Sequence, residues 1–362
     1  MSESANPYGN LPGEAFWKSG VSETSPTEMF PIYRNKWKIP DGARIVTAGS
    51  CFAQHIARHL RQRGVEVVDE EPAPLTLPPE RHQAYGFSMY SGRYGNIYTT
   101  AQLLQLAREA LEGAVPQDIV WERGGRYFDA LRPAVEPEGL ESPEEVLEHR
   151  RYHVGKVREI FLDADVIVFT LGLTEAWQNA EYGTVYPTAP GTIAGSYDPE
   201  RYVFRNYRVN EVLDDFLAFQ QLLTRARGSR PALRFLLTVS PVPLTATAGG
   251  NHVLSATTYS KAVLRAAAGE LAQDDPSIDY FPSFEIITNQ AARGEFYDTN
   301  LRTVRSEGVE AVMKVFFAAH SNLAATSGKT RKAMKGKQNA EAMRLAEEDI
   351  ACEEAVLEAF GR

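Results

Sequence analysis

The chain of 362 residues is 43% apolar and 23% charged, so it can bury one large core or two ordinary ones and has the composition of a globular protein. A net charge of -9 at pH 7 argues against sequence-independent nucleic-acid binding, which needs a basic surface to displace phosphate counterions. Small-molecule or carbohydrate ligands are the simpler expectation. The two cysteines, Cys51 and Cys352, show no CxxC or Cys/His ligand spacing, which argues against a disulfide scaffold or a zinc site, and neither a metal nor a cofactor is expected. No apolar window is long enough to span a membrane, and MSESANPYGNLPGEAFW does not read as a signal peptide. A cytoplasmic address is the resulting expectation.

In chain order, residues 1–42 are rich in Pro, Gly, Ser and Asn yet carry Phe16, Trp17, Phe30, Tyr33 and Trp37, which predicts an extended arm whose aromatics pack on the body. ARIVTAG (43–49) reads as a buried strand. CFAQHIARHLRQRG then has helical spacing of apolar residues and ends at Gly64. A Gly- and Tyr-rich loop covers 85–102. Helical patterns follow in TAQLLQLAREALEG and in SPEEVLEHRRYHVGKVREIFLDA, then a strand in DVIVFTLG (165–172). VNEVLDDFLAFQQLLTRAR reads as helix, RFLLTVSPV (234–242) as strand, TYSKAVLRAAAGELAQ as helix, IDYFPSFEI (278–286) as strand and EGVEAVMKVFFAAH as the closing helix.

Continuous apolar strands alternating with helices predict an α/β three-layer sandwich with a mostly parallel central sheet over residues 43–320. Residues 321–362 read as a polar, basic linker and a C-terminal helix with apolar positions at Met343, Leu345, Ile350, Val356, Leu357 and Phe360. That helix is either a solvated tail or a docking element for a protein partner.

Chemistry concentrates at predicted strand ends, where open α/β sheets place ligands and nucleophiles. Gly49-Ser50-Cys51 joins the first strand to the first helix, whose N-terminus supplies amide donors and a positive dipole end to an anion or thiolate. The structural alternative is a helix-capping Ser50 beside a buried Cys51. The second strand leads into Gly172, Thr174 and Glu175, a carboxylate that orients a base, binds substrate or merely starts a helix. The third ends at Ser240-Pro241 and runs through a Thr/Ala/Gly-rich loop to His252, a candidate base. Gly95 and Asn96 are candidate oxyanion donors in the tyrosine-rich loop. Asp298, Arg302 and Arg305 precede the last helix, where a cationic subsite competes with plain surface ion pairing.

These pieces, GSCFA at 49–53 followed in order by TLGLTEAW, TVSPVP and YFPSFEI, resemble the GSCFA family over about residues 42–320. That family looks like a branch of the SGNH (GDSL-like) hydrolases. The resemblance implies a flavodoxin-like sandwich and ester hydrolysis or acyl transfer, commonly on carbohydrates. Setting the SGNH Gly-Asp-Ser block over Gly49-Ser50-Cys51 puts Cys51 at the nucleophile position, and a shift of one residue restores serine but loses the glycine. The oxyanion glycine block falls near Gly95. The Gly-x-Asn-Asp block falls on Gly172-Leu173-Thr174-Glu175, with Thr174 replacing the oxyanion-binding Asn.

The final SGNH block, Asp-x-x-His, is where this chain departs. YDTNLRTVRSEG keeps Asp298 but has Arg302, Val304 and Arg305 where a histidine is sought, and arginine does not accept a proton near pH 7. Three readings follow. His252 replaces the lost base, with Glu175 or Asp298 orienting it; or Cys51, more acidic than a serine, is activated by the helix end alone; or the protein keeps the fold as a non-catalytic glycan- or partner-binding protein. The expectation is an esterase or acyltransferase acting on acyl esters of a glycan or glycan precursor, with a possible acyl donor and, through the C-terminal helix, a possible protein partner.

Overall fold

The computed structural model describes residues 6–325 and 353–361. Its centre is a four-stranded parallel sheet built from β1 (Ile45–Gly49), β4 (Val166–Leu171), β8 (Arg234–Val239) and β9 (Ile278–Tyr280), in the order β1-β4-β8-β9. Outside β1, Val67 forms an isolated parallel bridge with Ile45.

Successive strand side chains point to opposite faces, and both faces are covered, so these strands are mostly apolar, with Thr47, Thr170, Thr238 and Asp279 as buried polar members. In β4, Ile167, Phe169 and Leu171 enter one core with Val46, Phe235 and Leu237, while Val166 and Val168 enter another with Ile45 and Leu236. The first core is closed by α2 (Thr100–Glu112), α3 (Pro143–Asp163), α4 (Val209–Arg227) and α5 (Val253–Asp274). The second is closed by α1 (Phe52–Gln62), α6 (Ser283–Thr288) and α7 (Ser306–Ala319), which continues into the short α8 (Ser321–Ala325). This is the expected α/β arrangement of a parallel sheet between helical layers.

Helix ends follow local chemistry. Thr99 and Gln102 form a capping box at α2, Gly113 ends that helix in the left-handed region, and the Ser142 hydroxyl accepts from the Glu145 amide at α3. From the arm, Tyr33 and Ile39 pack in the second core, and Tyr33 donates a 2.9 Å hydrogen bond to Asp279, whereas Phe16, Trp17 and Phe30 stay exposed.

Three segments differ from the sequence reading. The strand expected over 278–286 stops at Tyr280, because Pro282 has no amide to donate to the ladder and Ser283 opens α6. Glu175 begins a strand, not a helix: β5 (Glu175–Asn179) pairs antiparallel with β6 (Val185–Tyr186) and β7 (Tyr202–Asn206), beside a hairpin of β2 (Val120–Arg123) and β3 (Arg126–Asp129). The helix expected over 339–360 lies mostly outside the described residues, as does Cys352; its described end, Glu353–Phe360, is a 3₁₀ segment.

Candidate active site at the carboxyl edge of the sheet

β1 ends at Gly49, whose φ of 131° lies in the region that favours glycine, and any Cβ there would collide with the Thr170 carbonyl of β4. The turn that follows buries Ser50 and Cys51, and Cys51 is the N-cap of α1 without a capping hydrogen bond from its side chain. Ser50 is fixed through its backbone, its amide donating to Thr170 O at 3.0 Å and its carbonyl accepting from Ala53 at 2.8 Å.

The Ser50 hydroxyl has no hydrogen-bond partner although it is sealed from solvent. Leaving a buried hydroxyl unpaired costs about 1–3 kcal/mol. Thr47 and Thr170 also have unpaired hydroxyls, but they lie within the strands, whereas Ser50 stands where β1 hands over to α1. The Ala53 and Gln54 amides of the first turn of α1 donate to the Ser50 and Cys51 carbonyls, and the positive end of the helix dipole lies next to both candidate nucleophiles.

The tyrosine-rich loop seals this edge. Ile97 N–H donates to Gly49 O at 2.9 Å, and Tyr98 O accepts from the amides of Gly172 and Leu173 at 3.0 and 3.1 Å, so the loop stitches the ends of β1 and β4 together. Gly95 and Asn96 are buried within it, and the Asn96 side-chain oxygen accepts from Tyr90 and from Gln54, the latter on α1. Asn96 is thereby tied to α1 through its oxygen.

Beyond β4, Gly172 lies directly against Ser50 and its carbonyl accepts a 2.7 Å hydrogen bond from the buried Lys261 on α5. The Thr174 amide donates to Ser260 at 3.0 Å and its hydroxyl to Asn206 at 2.7 Å. Glu175 is half-buried and accepts from Thr247 at 2.7 Å; burial pushes its carboxyl up, opposed by that bond.

His252 stands elsewhere in function. It is exposed and is the N-cap of α5, where its Nδ1 accepts from the Leu254 amide at 3.2 Å. That nitrogen caps the helix, and the Ser50 hydroxyl has no partner, so His252 makes no bond to Ser50. Asp298 is exposed and caps its own turn at Thr299, Arg305 pairs with Glu307, and Arg302 reaches Pro243 O at 3.1 Å. Ser50, Cys51, Gly49, Gly95, Asn96, Gly172, Thr174 and Glu175 therefore gather around one edge, and no imidazole bonds to Ser50.

Two residues at this edge escaped the sequence reading. Lys261 continues the inward stripe of α5 marked by Ser260, Leu264, Ala268 and Leu271, so helical spacing alone placed a lysine in the core. His55 lies one helical turn after Cys51, on the same face of α1. Burial, with Arg58 and His59 nearby, holds its imidazole down at about 3. Such a ring stays neutral and is a poor acceptor for a thiol proton near pH 7. Among the described residues, no His/Cys/Asp/Glu cluster is arranged to hold a metal, and no helix is long and apolar enough to cross a membrane.

A parallel sheet between helical layers, with an unpaired hydroxyl and a thiol at the strand-to-helix turn on its carboxyl edge, defines an α/β protein with its site where such sheets place ligands. A family model described as the GSCFA family matches residues 44–316, and the chain belongs to that family. No curated protein and no solved structure matches it.

Proposed function

We propose that this is an SGNH-like esterase or O-acyltransferase in which Cys51 is the nucleophile. The observation that carries the reading is the Gly49-Ser50-Cys51 turn, where a hydroxyl without a partner and a thiol are buried together at the N-terminus of α1. With the Val67 segment counted outside β1, the strand order follows the flavodoxin-like pattern 2-1-3-4-5, which supports the SGNH relationship. The resemblance to that superfamily supports a glycan or glycan-precursor ester as substrate.

The absence of an imidazole on Ser50 favours the thiol. A thiol ionises several pH units below a hydroxyl, and a helix N-terminus lowers it further, so a thiolate needs less from a base. The thiolate adds to the ester carbonyl. The C–O bond then breaks, the alcohol leaves with a proton from water, and the resulting thioester passes its acyl group to water or to a second hydroxyl. The unpaired Ser50 O–H donates to the oxyanion, beside the positive end of the α1 dipole.

The test is covalent labelling with peptide mapping, paired with hydrolysis of a p-nitrophenyl ester. Iodoacetamide should modify Cys51, Cys51→Ala should abolish turnover, and Ser50→Ala should lower kcat by about 10²–10³ while leaving the labelling intact. Fluorophosphonate labelling at Ser50 in an active Cys51→Ala protein would make it a serine enzyme. If neither probe reacts and both variants keep the biological activity, the reading is wrong. The protein is then a binding module that retains the fold, which the capping role of His252 already favours as the second reading.

A further inference from the structure

A cavity of about 170 Å³ opens beside Glu175, three residues along the chain from the glycine that touches Ser50. Leu173, Trp177, Pro187, Phe204 and Ala246 line it, together with Leu357 from the C-terminal segment. Among the described residues, Glu175 is the only ionisable side chain in the lining, and its carboxylate already accepts from Thr247. The C-terminal segment is held in place by an ion pair from Glu358 to Arg302 at 3.4 Å, and Arg302 is anchored on Pro243 O in the same loop that carries Ala246.

From this lining we infer that the cavity is the acyl subsite, taking a short unbranched chain of about six carbons, and that Leu357 forms the wall that limits its length. The word acyl rests on the proposed function; the apolar binding does not. Size decides the chemistry, since an apolar cavity of about 150 Å³ accommodates a benzene-sized group. A sugar ring would find only Glu175, Thr188 and Thr247 in the described lining to meet its hydroxyls, the rest of that wall being leucine, alanine, proline and aromatic carbon. A long lipid chain would have to displace Leu357. Trp177 in the wall reports occupancy.

The experiment titrates the full-length protein with acetate, butanoate, hexanoate, octanoate and dodecanoate, following the fluorescence that Trp177→Phe removes. Affinity should rise about fourfold per methylene up to hexanoate and then level off. Leu357→Ala, or Arg302→Met releasing the segment, should carry the rise on to octanoate. Ala246→Trp, at an exposed loop position, should block the titration without burdening the core. No Trp177-dependent signal at any length overturns the inference. So does a rise through dodecanoate that is the same in every variant, which is detergent-like adsorption. No turnover is needed, so binding with the expected cut-off in a protein that lacks esterase activity leaves the subsite standing and removes the thioester chemistry. Ester hydrolysis with no chain-length limit does the reverse.

Discussion

Gly172 stands so close to Ser50 that a Cβ built on it would lie 2.9 Å from the Ser50 Cβ and 3.2 Å from the Tyr98 Cα. The first of these atoms is fixed by the β1 turn and the second by the loop whose carbonyl accepts from Gly172 itself. Neither is the free end of a flexible side chain. Gly172→Ala should therefore push Ser50 or the Tyr98 backbone aside, costing about 1–3 kcal/mol in urea unfolding, as overpacking does. Under the thiol reading, turnover should fall further than stability does. A variant of unchanged stability would show that the edge is looser than drawn.

Lys261 separates electrostatics from packing at the same place. Lys261→Met keeps most of the stem and removes the ammonium that donates to Gly172 O. Replacing a buried charge with an apolar group is often neutral or stabilising, while the stranded carbonyl costs about 1–3 kcal/mol, so the net change in stability should be small. The rate of Cys51 alkylation should instead fall, and its pH profile should move to higher pH, because the positive charge on the Gly172 carbonyl, against the residue next to Cys51, is gone. An alkylation profile that does not move would make Lys261 a structural strut.

Where both faces of a strand are covered, the sequence was transparent: the apolar runs in ARIVTAG, DVIVFTLG and RFLLTVSPV, interrupted by Thr47, Thr170 and Thr238, became β1, β4 and β8. The short antiparallel strands were not, since EAWQN and YVFRN mix charged and aromatic residues and are held by Trp121, Phe128, Tyr186 and Tyr202 packing across elements far apart in the chain. The carboxyl edge was legible as a list of residues because each follows a readable strand. The state of His252 was not legible, because one local hydrogen bond to Leu254 decides what its nitrogens are free to do. Lys261 and His55 were hidden by their helices.

Three buried histidines give the fold an acid-sensitive core. His153 donates its Nδ1 proton to Glu71 at 2.7 Å and leaves Nε2 without a partner. Burial, and then Arg132, hold His153 down at about 4; burial holds His320 at about 4 and His55 at about 3. Each folded value lies below the unfolded 6.5, so the contribution is complete above pH 6.5 and is lost as pH falls toward 4. Burial alone would raise Glu71, but His153 and Arg132 keep it at about 2, so its own contribution goes only below about pH 4.5. Tm should drop between pH 7 and pH 5, each histidine costing on the order of 1–2 kcal/mol at pH 5. A flat Tm over that range would contradict this account.

Arg150 on α3 joins three elements by bonding Glu109 on α2 and Asp129 at the end of β3, all of them buried. Arg132 adds a 2.7 Å bond to Asp129. Burial would raise the Asp129 carboxyl, yet Arg150 and Arg132 hold it at about 2, whereas burial wins at Glu109 and moves it up despite Arg150. Arg150→Met would strand one charge wholly and one partly, and should cost about 3–5 kcal/mol in urea unfolding, with much of the loss recovered at a pH low enough to protonate Glu109. Arg150→Met together with Glu109→Gln should lose less than the two single variants added, because the second change removes the charge that the first leaves unpaired. Strict additivity would mean that the three groups do not act as one network and that the β2–β3 hairpin is held by Trp121 and Phe128 alone.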